Sequence, residues 1–267
     1  MILGFLSILL MGVILGLIGA GGSILTVPIF VYLFKINSVL STSYSLLLVG
    51  FTALIGSFFY FRKKKIDFNI AFKFAIPSII TVYLTRRFIL PAIPNDFKFL
   101  DLIITKDLFI LSLFSFMMFL TSFFMIKNSD KKSKDSKKKI LINPYIKNIL
   151  IVFESSLIGV LTALIGAGGG FLIVPALVLL NKIDIKSAIG TSLVIIALKS
   201  IFGFIGDIQS NVNLDYFLAF YLIITASIGI YFGLFLGKYF DSNYIKKGFG
   251  YFVMVISIII IIKETLL

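Results

Sequence analysis

The 267-residue chain contains no cysteine and no histidine. Without thiols there is no disulfide and no cysteine nucleophile; without imidazole, haem ligation through histidine and ordinary zinc sites are excluded. Any metal would have to be held by oxygen ligands, and no cofactor is expected. Charge is scarce too: 14% of residues are charged, with Asp and Glu numbering 12 against 25 Lys and Arg. No paired carboxylates, no nucleophile with a base and no metal cluster stand at catalytic spacing, which argues against an enzyme. No ATP-binding motif is present either.

What the chain does have is apolar surface. With 59% hydrophobic residues and a mean hydropathy of +1.10, it carries more than a soluble core of this size could hide. The composition predicts an all-α polytopic membrane protein. The opening MILGFLSILLMGVILGLIGA has the apolar core of a secretory signal but no basic segment before it. A matching segment in mid-chain, around Gly159, argues that it belongs to the mature protein.

That match is one part of a duplication. Aligning Gly19 with Gly166 pairs GLIGAGGSILTVPIFVYLFKI with ALIGAGGGFLIVPALVLLNKI, with fifteen identities over residues 12 to 36. The same offset of 147 pairs SYSLL (43–47) with GTSLV (190–194) and Gly56 with Gly203; one residue later, IDFNIAF (66–72) pairs with LDYFLAF (214–220). Each unit reads as one helix series: 2–18, a short 24–34, 38–61, 67–90 and 107–126, then 148–165, a short 171–181, 185–206, 214–237 and 243–263. A full span needs about 20 residues, so the short elements are read as half-helices folded back on the preceding span. The expected organisation is an N-terminal transmembrane repeat (1–126), a basic cytoplasmic linker (127–147) and a C-terminal transmembrane repeat (148–267), each repeat having about four spanning helices plus a half-helix after a GAGG break. An odd number of passes per unit makes the two repeats inverted in topology.

The charges point the same way. Segments 62–67, 127–147, 182–186 and 238–247 hold 17 of the 25 basic residues, whereas the opposite side holds Lys35, Arg86, Arg87, Lys98, Lys106 and Lys263. The first set should face the cytoplasm, leaving Lys73 and Lys199 at membrane depth. The lysine-rich linker is expected to be solvated or to touch lipid headgroups; nucleic acid is not an expected partner.

Glycine and proline inside an apolar run need a reason, because an unpaired backbone group in hydrocarbon costs several kcal/mol. Non-helical chain at that depth must line something polar. The residues after each break start a new helix with free N–H groups and about half a positive charge at its N-terminus. Two such ends brought together by inversion make a site for a small anion. The candidate binding residues are Gly19, Gly21, Gly22 and Ser23 in the first break and Gly166, Gly168, Gly169 and Gly170 in the second. Ser43 and Ser45 in one following helix, and Thr191 and Ser192 in the other, offer hydroxyl donors. Lys199, two-thirds along its span, could support anion binding or proton coupling, with Glu154 as a candidate partner; snorkelling to the interface is the plainer alternative.

The paired GAGG(G/S)xxxVP motifs, the GTSL segment, TRRFILPAIP and FMIK together resemble the TauE/SafE sulfite-exporter-like family, also called the toluenesulfonate uptake permease family. The resemblance spans essentially the whole chain. It implies secondary transport of a small anion, such as sulfite, an organosulfonate or a related sulfur-containing or carboxylated acid, across a bacterial inner membrane. Lys199 departs from the family, which often has a small or neutral polar residue there.

Plainer readings hold elsewhere. Gly12, Gly16, Gly229, Gly233 and Gly237 suit close helix packing. Arg86 and Arg87 read first as interfacial anchors and second as an extracytoplasmic funnel for anions. Asp67 and Asp215 read as N-caps. An anion channel of the same architecture and a non-transport assembly factor are the rival functions.

Overall fold

The structure is a computed structural model describing residues 1–19, 21–99, 102–129, 144–181, 183–237, 239 and 242–266. Most of the linker expected at 127–147 therefore lies outside the described residues. The chain forms α1 (Ile2–Ile18), a short helix α2 (Gly22–Leu33), α3 (Ser38–Arg62), α4 (Phe68–Ala92), α5 (Lys106–Ser129), α6 (Pro144–Ile165), a short helix α7 (Gly170–Asn181), α8 (Ile185–Gln209), α9 (Tyr216–Leu236) and α10 (Ser242–Leu266). A two-strand hairpin, β1 (Asp96–Phe99) and β2 (Leu102–Thr105), pairs antiparallel between α4 and α5. It is an addition to the expected all-α plan.

Six of these helices are long and apolar enough to cross a membrane. Their outward faces carry large apolar side chains, among them Phe217 (80% exposed) and Phe153 (68%). Such a surface is tolerable in lipid and not in water. The protein is an all-α polytopic membrane protein.

Helix starts follow from local chemistry. Asn37 caps α3 by accepting from the Leu40 amide (2.8 Å), and Asp184 caps α8 by accepting from that of Ser187 (3.2 Å). Asp67 caps α4 and Asp215 caps α9 in the same manner. Each carboxylate or amide oxygen satisfies an amide that has no partner inside its helix. The caps fall at matching positions of the two halves.

So do the tertiary contacts. α1 packs on α9, and α6 on α4; at the centre α3 packs on α8. Gly12 lies against Ala226 and Gly229, while its counterpart Gly159 lies against Ser78 and Thr81. Gly56 meets Leu193 and Ile230, while Gly203 meets the counterparts Leu46 and Val82. Along the α3–α8 contact Gly50 faces Ser200, Gly56 faces Leu193 and Gly190 faces Tyr60, so these two helices run antiparallel. The glycines are what allow it. A Cβ on Gly229 would sit 2.3 Å from the Leu9 carbonyl oxygen, so α1 and α9 touch backbone to backbone.

Candidate binding site at the two helix breaks

Both breaks begin with the same turn. α1 closes on Gly19 at φ 86°, its amide donating to the Leu15 carbonyl (2.8 Å); α6 closes on Gly166 at φ 73°, its amide donating to the Thr162 carbonyl (2.9 Å). Left-handed backbone costs other L-residues about 1–2 kcal/mol, and here there is also no room for a side chain. A Cβ on Gly19 would lie 1.9 Å from the Ile189 Cγ2, and one on Gly166 would lie 2.2 Å from the Thr42 Cβ. Ile189 and Thr42 are themselves counterparts.

After the turn the halves differ. The first chain re-enters helix at once, with a 3₁₀ turn at Gly22–Leu25, three α residues to Pro28 and a π turn at Ile29–Leu33. The second stays unwound from Gly166 through Gly169, which is again left-handed (φ 69°), before α7. Leu172 and Ile173 both donate to the Gly169 carbonyl, so the amides before them, of Gly170 and Phe171, are left for whatever lies ahead of the helix. Both short helices are 12 residues long, about 18 Å at 1.5 Å per residue, which is too short to cross.

The breaks are buried and they meet. A Cβ on Gly168 would lie 3.4 Å from the Cβ of Ser23, and Ser23 is fully buried. Lys199 reaches the same place. It is 1% exposed, its Nζ donates to Thr162 Oγ1 at 2.6 Å, and that Nζ lies 2.8 Å from where a Gly169 Cβ would be. The Thr162 hydroxyl donates its own proton to the Ile158 carbonyl (2.7 Å), so its oxygen is held as an acceptor for the ammonium. Among the described residues Lys199 has no carboxylate within ion-pair distance. Glu154, the candidate partner, stands about two turns earlier than Thr162 on α6, and its Oε2 has no hydrogen-bond partner among the described residues. The neighbour of Lys199 is a hydroxyl, not an acid.

Other candidates are placed differently. Gly21 faces Phe249 of α10, and Gly22 backs onto the α1 backbone at Met11 and Leu15. Thr191 accepts from the Asp67 amide (3.0 Å), and Ser192 donates to its own helix at Ile189. Thr191 lies about 12 Å along α8 from Lys199 at 1.5 Å per residue, against the α3–α4 loop and two residues after Ile189, which packs on Gly19. Ser43 and Ser45 are buried near the start of α3; Ser43 lies within hydrogen-bond reach of the Val39 carbonyl and of the Asp207 carboxylate, and the Ser45 hydroxyl has no partner among the described residues.

Arg86 needs a correction. Expected at an interface, it is fully buried. Its Nη1 donates to Thr42 Oγ1 (3.0 Å) and lies 3.4 Å from the Asp207 carboxylate, which is 1% exposed. The reason is local. A π turn at Thr85–Ile89 redirects the end of α4, and Gly203 and Gly206 leave space on α8; a Cβ on Gly206 would come within 3.1 Å of the Arg86 Cβ. Arg87 takes the surface role, donating to the Gln209 carbonyl. Asp207 escaped notice because α8 was expected to stop at 206, which put this acid in a loop; its position four residues after Gly203 was the available signal. Because Thr42 touches both Gly166 and Arg86, the four residues of the second break run from the neighbourhood of one buried cation to that of the other.

Buried positive charge beside unwound backbone can hold an anion by charge and by N–H donation together. An open apolar hollow of about 630 Å³ is lined by Phe88, Ile89, Pro94 and Phe109, none of them a residue of the breaks.

Comparison with known proteins agrees with a transporter. The probable membrane transporter protein YunE of Bacillus subtilis (strain 168) is 28% identical over 246 residues, covering 81% of this chain and 83% of that protein. The probable membrane transporter protein YdhB of the same organism is 25% identical over 241 residues, covering 89% of each. A probable membrane transporter protein of Xylella fastidiosa (strain 9a5c) is 23% identical over 255 residues, 94% of this chain and 91% of the other. No solved structure gives a significant match. Residues 4–260 match the family described as Sulfite exporter TauE/SafE, and the chain, helical throughout its spans and broken at both glycine corners, belongs to that family.

Proposed function

We propose that the protein is a secondary transporter of a small anion, sulfite, an organosulfonate or a related acid, across the bacterial inner membrane. The substrate sits where the two breaks meet, and the two repeats, 1–126 and 148–267, rock about it in alternating access. The observation that carries this reading is Lys199: an amine 1% exposed, held by Thr162 and lying against Gly169, with no carboxylate within ion-pair distance among the described residues. A buried charge without a counter-ion is costly, and an anionic guest removes that cost.

The reciprocal contacts of Gly12 with Gly229 and Gly159 with Thr81, and the antiparallel α3–α8 packing, support two inverted repeats related by an axis in the membrane plane. Such a pair has two equivalent arrangements, which is what alternating access requires. The basic linker between the repeats then faces the cytoplasm.

Purified protein in liposomes, offered sulfite, sulfate, thiosulfate, sulfonates and short carboxylates, tests the reading. Saturable uptake stimulated by the same anion on the far side is expected for at least one of them, and Lys199→Met should abolish it. Unsaturable flux indifferent to trans anion would mean a channel; a Lys199→Met protein with unchanged uptake would remove the site from this place.

A further inference from the structure

The two ends of the α3–α8 contact are chemically unlike. At the end away from the Arg62–Lys65 loop lie Thr42, Arg86 and Asp207, all buried. The matching positions at the other end hold Ile189, Leu234 and Tyr60, with Tyr60 packed on Gly190. One end is therefore closed by an ion pair and the other by apolar and aromatic side chains. The ion pair is also incompletely satisfied. Arg86 uses Nη1 alone, while its Nε and Nη2 and the Thr85 and Ser45 hydroxyls are buried without hydrogen-bond partners among the described residues. Native buried polar groups are nearly always paired, and those that are not mark strain, a functional role, or an ordered water or ion. Only a thin layer covers the pair. Arg87 bonds to Gln209, Tyr83 Oη to Gln209 Oε1 (2.5 Å), and Ser210 to the Arg86 and Arg87 carbonyls.

We propose that Arg86 is a second anion subsite and that Asp207 is its exchangeable occupant: the guanidinium trades the carboxylate for the substrate's oxyanion as this end opens. This rests on the anion-transport reading. The charge arithmetic fixes what accompanies the trade. Arg86 and Asp207 together are neutral; two anions on one guanidinium would leave a net negative charge in a buried place, which is costly. Asp207 therefore takes up a proton from water on the open side as it lets go, and returns it when the anion leaves. With a monoanion the station stays neutral, and with a dianion it carries one negative charge in place of two; in either case one proton travels with each anion bound there. Bidentate recognition of an oxyanion is what a guanidinium does best, and Nε with Nη2 is the edge left vacant. The other charged or titratable groups around the pair are Arg87 and Tyr83 on α4, Tyr44 on α3 with Asp215 beside it, Glu154 on α6 and Lys199 deeper on α8. None of these is an acid in ion-pair contact with Arg86; among the described residues that contact is made by Asp207.

The absence of cysteine makes the test clean. Ser45→Cys, one turn from Thr42 and fully buried, serves as a reporter for two membrane-impermeant methanethiosulfonates, one bearing a sulfonate and one a trimethylammonium, at a single fixed pH. Asp207→Asn should raise the sulfonate reagent's labelling rate about tenfold by populating the open state, with the sulfonate favoured over the ammonium. Because Asp207→Asn leaves a buried orphan charge, the neutral pair Arg86→Gln with Asp207→Asn is made alongside; it should label as fast but lose the preference for the anion. Labelling unchanged in both variants, or a preference that survives loss of Arg86, overturns the proposal. Thiosulfate flux in liposomes separates its fate from that of the transport reading. With wild-type flux present, Asp207→Asn should keep thiosulfate exchange and lose accumulation driven by a pH gradient; retained accumulation overturns the proton step. If the wild-type protein moves none of the anions offered and the labelling still changes as expected, the transport reading fails and the gated anion subsite stands.

Discussion

Gly166 and Thr42 stand so close that a Cβ on the glycine would lie 2.2 Å from the Cβ of the threonine, and Gly19 stands in the same relation to Ile189. Each break is thereby locked to the central helix of the opposite half. The contact joins each break to that helix, and at Thr42 it leads on to Arg86.

Gly166→Ala should be severely destabilising. The left-handed backbone alone costs about 1–2 kcal/mol, and the overlap with Thr42 adds to it. Gly248→Ala is the control: nothing lies within 4 Å of its would-be Cβ, and a helical Gly→Ala change is stabilising by about 0.5–1 kcal/mol. Thermal unfolding of the purified protein in detergent should move down for the first and up slightly for the second.

The matching glycine contacts of α1–α9 and α6–α4 should respond differently to repair. A Cβ on Gly159 would lie 2.0 Å from Thr81 Oγ1 and 3.0 Å from the Ser78 carbonyl oxygen, whereas one on Gly229 would lie 2.3 Å from the Leu9 carbonyl oxygen. Gly159→Ala should therefore be partly rescued by Thr81→Ala, which leaves the tight Ser78 backbone contact in place, with a coupling of about 1 kcal/mol or more between neighbouring sites. Gly229→Ala meets backbone, which no side-chain change can withdraw, and should stay impaired in every combination. Stability measurements on the double variants decide it.

Thr162→Val keeps the shape of the residue that holds Lys199 and removes the oxygen at 2.6 Å. Losing a hydrogen bond to a charged group costs about 1.5–3 kcal/mol. With the ammonium no longer held against Gly169, anion uptake should fall by at least about tenfold, while Thr162→Ser, which keeps the oxygen, should preserve most of it. Equal uptake by both variants in liposomes would show that the position of Lys199 is immaterial.

At the α7–α8 turn, the Ser187 hydrogen bonds hold the Asp184 carboxyl below its ordinary value of 3.8, with Lys65 adding a smaller pull. A lowered folded-state pKa stabilises above the unfolded value and loses that contribution as pH falls through the folded one. Asp184→Asn keeps a cap acceptor, so it should cost little at pH 7 and remove the part of the acid sensitivity that sets in below about pH 4. Asp184→Ala, lacking the acceptor, should cost about 1 kcal/mol at pH 7. Unfolding followed against pH for the three proteins separates the cases.

The membrane class, the two glycine corners, the half-length helices and the helix series were legible in the order of residues, because hydropathy, chain length and glycine's freedom act locally. Duplication made them firmer still, since fifteen shared residues between 12 and 36 and their counterparts cannot come from hydrophobicity alone. Tertiary structure decided the partners. That Lys199 rests on Thr162 and not on Glu154, that Thr191 serves the Asp67 amide, and that Arg86 lies buried on Asp207 depend on which helix faces which. Those facings depend in turn on where missing side chains at Gly203 and Gly206 let backbones approach, and on a π turn that re-aims one arginine. Linear spacing along a chain carries no signal of a charge pair formed between residues 121 positions apart; only the packed helices bring it about.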